Sequence, residues 1–553
     1  MEFLSVGVAM SVRRLAGSTA VFWLLLVWSG CGDQFRPVAT PITPPPPDPK
    51  PFHFIFVVNR NGANDPGTAT RIDVSGDSNV GVATVGLSPV HASFVPNGSR
   101  IYVANSLEDT VSSYALTSIL PVTTTSLPLG STPVFVHTTE NGTMYVANAG
   151  SKSVAAISTI SNAVTNNITL QFRPIALAET PDGKKIYAVG SDDSGVGSVI
   201  SINSIDKSLN EATTGLNAPV WVATRSDSQR AYVLNSGSGT ISTIDTFSDS
   251  DLSDVPVSVG ANFMLYDPKL NRLYITNPTA GTVSILDAST DPPSSLTGAP
   301  VTIAEYSPQT SSDPLNPCQG TAVMPTSVTA LPDGTRAYVA SFQINGNGTQ
   351  ICSQVSVINT ANNTVTKTIG LEFTVPAIGP LTTAVLVAPD ETGCGSTRSP
   401  SSSIPPFIQN TGFRLSVASS ADSSKIYVAN CDAGSTAVIP TSGAAQTANV
   451  PSPVSDFPPM TTTVSITAAS QSGTTTIYTY TLVSGPPLRD GTSINITGMS
   501  DSTKNDGTFS ISAVGTGTFN VDNASGVTAT GQSGTGTVTV PPPQNPVFVL
   551  TGP

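Results

Sequence analysis

The sequence predicts an all-β chain organised around a β-propeller, and three observations predict it. Related quartets begin at Phe56, Tyr102, Tyr145, Tyr187, Tyr232, Tyr274, Tyr338 and Tyr427, at intervals of 46, 43, 42, 45, 42, 64 and 89. A repeat of four short antiparallel strands needs about 40–45 residues, and such a unit buries its faces only against its neighbours. The composition agrees, because 46 Gly, 46 Pro and abundant Ser and Thr favour strands joined by tight turns over helices. Charged residues are only 11% of the 553, and the formal net charge of -13 excludes the basic surface that nucleic-acid binding requires.

The first element is an address. Arg13 and Arg14 precede the apolar run "AVFWLLLVW" (20–28), which is shorter than the roughly 20 residues of a spanning helix and reads as a secretion signal. "WSGC" (28–31) has the small residues that precede the acylated cysteine of a bacterial lipoprotein, with Trp28 in place of the usual Leu. Residues 1–31 are therefore expected to be a signal peptide ending at a lipidated Cys31, with a membrane anchor and ordinary cleavage as the other readings. Residues 32–51, "GDQFRPVATPITPPPPDPKP", read as a Pro-rich tether. At about 3.1 Å per residue in polyproline II form, it would reach roughly 60 Å.

Residues 52–450 carry the repeat. An alternating strand and a turn precede each quartet, as in "RPIALAETPDGKKIY" (173–187) and "PTSVTALPDGTRAY" (325–338). Pro-Asp-Gly is strong turn chemistry. A further strand follows the quartet, as in "TISTIDT" (240–246) or "TVSILDA" (282–288), and a weaker one leads to the next copy, as in "NAVTNNITL" (162–170). A shallow β-helix is the alternative architecture, and the four-strand period and Pro-Asp-Gly turns argue against it.

These quartets, with their shared turns, resemble the YVTN-repeat β-propeller family of bacterial and archaeal surfaces, over about residues 52–450. The resemblance implies a surface-exposed wheel. The first copy lacks an inner strand, and "NPVFVLTG" (545–552) matches the interior inner strand "TPVFVHTT" (132–139), so a C-terminal closing strand is expected. That arrangement gives eight blades, with seven as the other count. Between them, at about 460–540, "GTSINITGMS" and "GTFSISAVGTGTFNVDNASG" resemble a small β-barrel module scattered through bacterial surface and phage proteins, with a sandwich as the alternative.

The repeat breaks at 304–324, 371–411 and 451–544, between the last strand of one blade and the first of the next, and at 341–353, between second and third strands. In a propeller these connections share one face, where function is expected to concentrate. Cys318, Cys352, Cys394 and Cys431 form an even set in an exported chain, with free thiols or metal ligation as the other readings. Position selects Cys318 with Cys352 and Cys394 with Cys431, each pinning an insertion to its own blade.

Chemistry is harder to find. His53, His91 and His137 hold unrelated positions in the repeat, and no cluster has metal-ligand spacing. Asp73, Asp245 and Asp287 recur at the end of the third strand and read as turn acceptors; Asp192 and Asp193 in "GSDDSGVG" lack the regular spacing of a Ca²⁺ loop. The expectation is a monomeric, lipid-anchored envelope protein with no cofactor, a binding or structural scaffold for an envelope protein or polysaccharide. The alternative is a lactonase-like hydrolase on the axis, which would have to use Arg173, Glu179, Glu305 and Arg414.

Overall fold

The quartets become the second strand of every blade. A computed structural model describes residues 54–61, 66–96, 98–116, 122–308, 316–374, 394, 414–442, 460–484, 488, 492–540 and 545–552, and contains no helix among them. Eight antiparallel sheets are arranged as blades, each with its inner strand nearest the axis. The inner strands are Pro546–Thr551, Pro89–Phe94, Pro133–Thr138, Arg173–Glu179, Pro219–Thr224, Phe263–Asp267, Met324–Ala330 and Leu415–Ser419, for blades 1 to 8 in turn. Each packs against the next and the last against the first, so the ring closes.

Closure depends on the C-terminal strand. Pro546–Thr551 pairs antiparallel with Phe54–Asn59, setting Ile55 opposite Thr551 and Val58 opposite Phe548, and completes blade 1 across nearly the whole chain. Without it the inner edge of blade 1 would be an open strand edge. Blade 8 shows three strands among the described residues, Leu415–Ser419, Lys425–Asn430 and Ser435–Pro440.

The quartet explains how blades adhere. Its central Val and Ala enter the apolar layers between sheets, as Val103 and Val146 do. In blades 2, 3, 4, 5 and 8 its Tyr lies across the seam and donates to the turn between the third and fourth strands of the following blade. Tyr102 bonds Asn162 Oδ1 at 3.0 Å, Tyr187 bonds Asp249 Oδ1 at 2.5 Å, Tyr232 bonds the Ala288 carbonyl at 3.3 Å and Tyr427 bonds Asp77 Oδ1 at 2.7 Å. The cation two residues earlier reaches the same turn: Lys185 to Asp249 at 2.6 Å, Arg272 to the Thr360 carbonyl at 2.7 Å, and Lys425 to Asp77 at 2.7 Å. The quartet Asn ends the strand and donates to hydroxyls of the third strand, as Asn105 does to Ser112 at 2.9 Å and Asn235 to Ser242 at 2.9 Å.

Burial pushes the phenols of Tyr145 and Tyr232 up to about 12, so these groups stay protonated donors through the physiological range. Asp249 feels the opposite balance. Burial pushes its carboxyl up, but hydrogen bonds from Asn210, Lys185, Tyr187 and Ser201 outweigh it and hold the carboxyl below its ordinary value.

Residues 460–540 form a closed six-stranded barrel, in the strand order Met460–Ser472, Thr475–Ser484, Thr518–Asp522, Gly507–Gly515, Ser493–Thr497 and Ala529–Val540. Ile466, Tyr478, Ile494, Phe519 and Val521 fill it. The barrel alternative is therefore the observed one. Alternation supplies the reason, since "SINIT" buries Ile494 and Ile496 and exposes the residues between them.

Candidate functional site

In blades 2 to 8 the inner strand runs toward the turn that joins it to the second strand, and the closing strand of blade 1 runs the same way to end beside Phe54, so one face of the wheel carries the connections between blades and the loops between second and third strands. We call this the loop face, and the opposite one the turn face. Pro-Asp-Gly at 181–183 and 332–334 lies on the turn face, where Asp182 Oδ1 accepts from the Thr180 hydroxyl at 2.7 Å and Asp333 Oδ1 from Thr335 N at 2.8 Å.

The loop at 341–353 and the insertions that hold Cys318 and Cys394 lie, where described, on the loop face, with four boundaries shifted; the fourth strand of blade 8, on which the placement of 451–544 depends, falls outside the described residues. The outer strand of blade 7 continues from Thr364 to Thr374, so the next connection starts at 375, not 371. In blade 7 the second and third strands, Arg336–Ile344 and Ile351–Asn359, pair out to Ile344 opposite Ile351, which shortens the expected 341–353 loop to 345–350. Ladder hydrogen bonds extend the hairpin, and both strands are buried almost continuously along it. The insertion before blade 7 ends at 323, where the inner strand starts at Met324.

The disulfides join Cys318 to Cys352 and Cys394 to Cys431. Each ties an insertion to the blade that follows it. Around the first, Gln343 Nε2 donates to the Thr321 carbonyl at 2.8 Å, and Gln354 Oε1 accepts from Tyr306 N at 2.7 Å. These buried amides satisfy backbone groups that an inserted loop would otherwise leave unpaired. Beside the second, the fully buried Arg414 donates to Asp432 Oδ1 at 2.5 Å, and its guanidinium lies 5.5 Å from the centre of the Phe342 ring. Cys394 and Cys431 enter the apolar cluster that holds Val547 of the closing strand.

The axis carries a feature the sequence reading missed. At one register position of the inner strand, opposite the residue two after the quartet's first, stand Phe548, His91, Phe135, Ala176, Trp221, Phe263, Ser327 and Ser416 for blades 1 to 8. The rings form a continuous arc: Phe548 to His91 at 4.4 Å, His91 stacked on Phe135 at 3.9 Å, Phe135 to Trp221 at 5.8 Å and Trp221 to Phe263 at 4.7 Å between centroids. Ala176 leaves room for the Phe135–Trp221 contact. On blades 7 and 8 hydroxyls replace rings, with Ser327 donating to the Leu415 carbonyl at 3.2 Å and Ser416 accepting from Val549 N at 3.3 Å. The signal was present as Pro-Val-aromatic in "PVHAS", "PVFVH", "PVWVA" and "PVFVL".

The structure does not bring the four charges of the hydrolase reading together. Arg173 pairs with Asp193 at 2.8 Å on the loop face, while Glu179, at the other end of the same strand, lies 3.6 Å from His137. Glu305 accepts from Gly320 N at 2.7 Å within the insertion before blade 7, and Arg414 is held by Asp432. His91 is packed in the aromatic arc; His53 and Cys31 lie outside the described residues. Asp73, Asp245 and Asp287 accept from the amides of Ser75, Phe247 and Ser289 at 3.0, 3.0 and 2.8 Å, as turn acceptors do. Asp192 caps its own turn through Ser194 and Val196, both of which hold its carboxyl below the ordinary value. Among the described residues no group of three His, Cys, Asp or Glu is placed to hold a metal ion.

A cleft of about 530 Å³ opens on the turn face between blades 4 and 5, lined by Asp182, Lys184, Lys185, Asp227, Arg230, Asp245 and Phe247 among others. Its charges are mutually paired: Lys184 with Asp182 at 2.8 Å and Arg230 with Asp245 at 2.8 Å.

No family model matches the chain, and no curated protein does. The resemblance to the YVTN-repeat family thus rests on the quartets alone. Solved structures similar to this chain include apo AztD from Citrobacter koseri, at 11% identity over 73% of this chain and 94% of that one, with a TM-score of 0.46. Another is described as a candidate 6-phosphogluconolactonase from Bacteroides fragilis NCTC 9343, at 17% identity over 59% and 97%, with a TM-score of 0.42. A third is hydrazine synthase of Kuenenia stuttgartiensis, at 17% identity over 57% and 78%, with a TM-score of 0.37.

Proposed function

We propose that this chain is a lipid-anchored protein of the bacterial cell envelope whose propeller presents a rigid loop face to a protein or polysaccharide partner. One observation carries the reading. Both disulfides fasten long insertions of the loop face to blades 7 and 8, whereas the turn face of blades 3 to 7, all of it among the described residues, keeps short turns. Fastening a loop lowers the entropy lost when it binds, so pinned insertions on a closed ring suit recognition. The aromatic arc stiffens the axis beneath them. The hydrolase alternative would need a base and a cation facing a common point, and Arg173, Glu179, Glu305 and Arg414 are engaged apart from one another.

The test is recovery of partners from envelope extract by the intact chain and by a variant whose residues 395–411 are replaced with a short Gly-Ser linker. This keeps Cys394 and its staple. Loss of a specific partner with the variant is expected; equal recovery would remove the loop face from the proposal.

A further inference from the structure

In blades 1 and 3 to 7 the turns between third and fourth strands share one conformation. The last residue of the third strand accepts from the amide two residues on, as Ser158 does from Ile160, Asn203 from Ile205 at 2.8 Å, Asp245 from Phe247 at 3.0 Å and Asp287 from Ser289 at 2.8 Å. The residue at that second position forms the tip of the turn. In blades 3, 4 and 5 the tips are Ile160, Ile205 and Phe247, exposed at 90%, 87% and 97%. In blades 1, 6, 7 and 8 the corresponding residues are Ser75, Ser289, Ala361 and Ser442. Scattered apolar side chains on a surface are ordinary. Three consecutive blades with large apolar tips at one register position, opposite a sector of small ones, form a one-sided crest.

The crest lies on the turn face, and so does the point where the N-terminal chain joins the wheel. Phe54 begins a second strand at the turn face, beside the end of the closing strand, where Gly552 N donates to the Phe54 carbonyl at 2.7 Å. An anchor at Cys31, reached through residues 32–53, is tied to this face, and the pinned insertions stand on the other. We propose that the crest Ile160, Ile205 and Phe247 docks on a lipid surface, each tip entering the headgroup–acyl boundary while the loop face is turned away from the membrane. This rests on the anchor reading given above. The tips suit a bilayer because they are separate, one per blade, as fingers that each enter lipid independently; a protein partner would bury a contiguous patch.

The experiment places the full, acylated chain on vesicles of phosphatidylethanolamine and phosphatidylglycerol with plain or bromine-substituted acyl chains. Phe247→Trp and Ser289→Trp are compared after subtracting the wild-type tryptophan signal. Contact at the depth of the acyl boundary should quench Phe247→Trp about twofold and leave Ser289→Trp unchanged. Fatty-acid labelling of the chain and of Cys31→Ala is read in parallel. Acylation without selective quenching overturns the crest and leaves the anchor standing; selective quenching without acylation supports the crest and removes the anchor; neither signal removes both. Self-association abolished by Ile160→Ser, Ile205→Ser and Phe247→Ser together, with no quenching, would assign the crest to a second copy and overturn the lipid proposal.

Discussion

Blades 4 and 5 and blades 7 and 8 meet the same demand, that one sheet hold the next, by different means. Between blades 4 and 5 a single buried carboxylate gathers the seam. Asp249 receives Tyr187 at 2.5 Å, Lys185 at 2.6 Å, Ser201 at 2.8 Å and Asn210 at 3.0 Å. Between blades 7 and 8 the described part of the same turn offers the Thr441 carbonyl to Arg336, at 2.7 Å, and the loop face above carries two disulfides. Where the repeat is regular, short-range polar latches suffice. Where insertions of tens of residues interrupt it, covalent staples limit the freedom of the unfolded chain and hold the loops to their blades.

The largest difference between the two regions should appear on reduction. Replacing Cys318 and Cys352 together by Ala should lower stability by roughly 3 to 4 kcal/mol in the chain-entropy model, seen in denaturant unfolding. The loss should map by hydrogen exchange to blade 7 and its preceding insertion, leaving blade 4 protected. Uniform loss of protection would break the regional contrast.

Asp249→Ala should have the next largest effect, about 2 to 3 kcal/mol, because it strands Tyr187 and part of Lys185 in the seam. The acid response follows from the lowered carboxyl. Stabilisation from a depressed carboxylate is full above the unfolded value of about 4 and is lost as pH falls through the folded value. The wild type should therefore lose stability below about pH 4 while Asp249→Ala shows a flatter acid limb. Parallel acid profiles would show that Asp249 is not the latch.

Tyr232→Phe sharpens the comparison most finely. Its hydroxyl donates to the Ala288 carbonyl at 3.3 Å, and Arg225, which also lies against the phenol, donates to the same oxygen at 3.0 Å. A cost of about 1 kcal/mol or less is expected by thermal unfolding, against a larger cost for Tyr187→Phe, whose partner is charged. Equal costs would mean that charge on the acceptor turn does not strengthen the seam.

Much of this could be read from the chain. The spacing of Tyr102, Tyr145, Tyr187, Tyr232 and Tyr274 determined the blade, because a sheet of that length buries both faces only among copies of itself. The match of 545–552 to 132–139 determined how the ring closes, since an inner strand has one register that places its apolar side between blades. Alternation in "SINIT" and its neighbours determined strands for the inserted module, and the loop positions of the four cysteines determined their pairing. Tertiary structure alone decided the rest, because the relevant groups are far apart in sequence. Phe548 meets His91 only after closure, Tyr427 finds Asp77 only across the final seam, and the axial charges separate because Arg173 and Glu179 occupy opposite ends of one strand. The tips Ile160, Ile205 and Phe247 look in sequence like three unrelated apolar residues in polar turns. Quasi-eightfold symmetry brings them to one height and one sector, and only there do they become a surface.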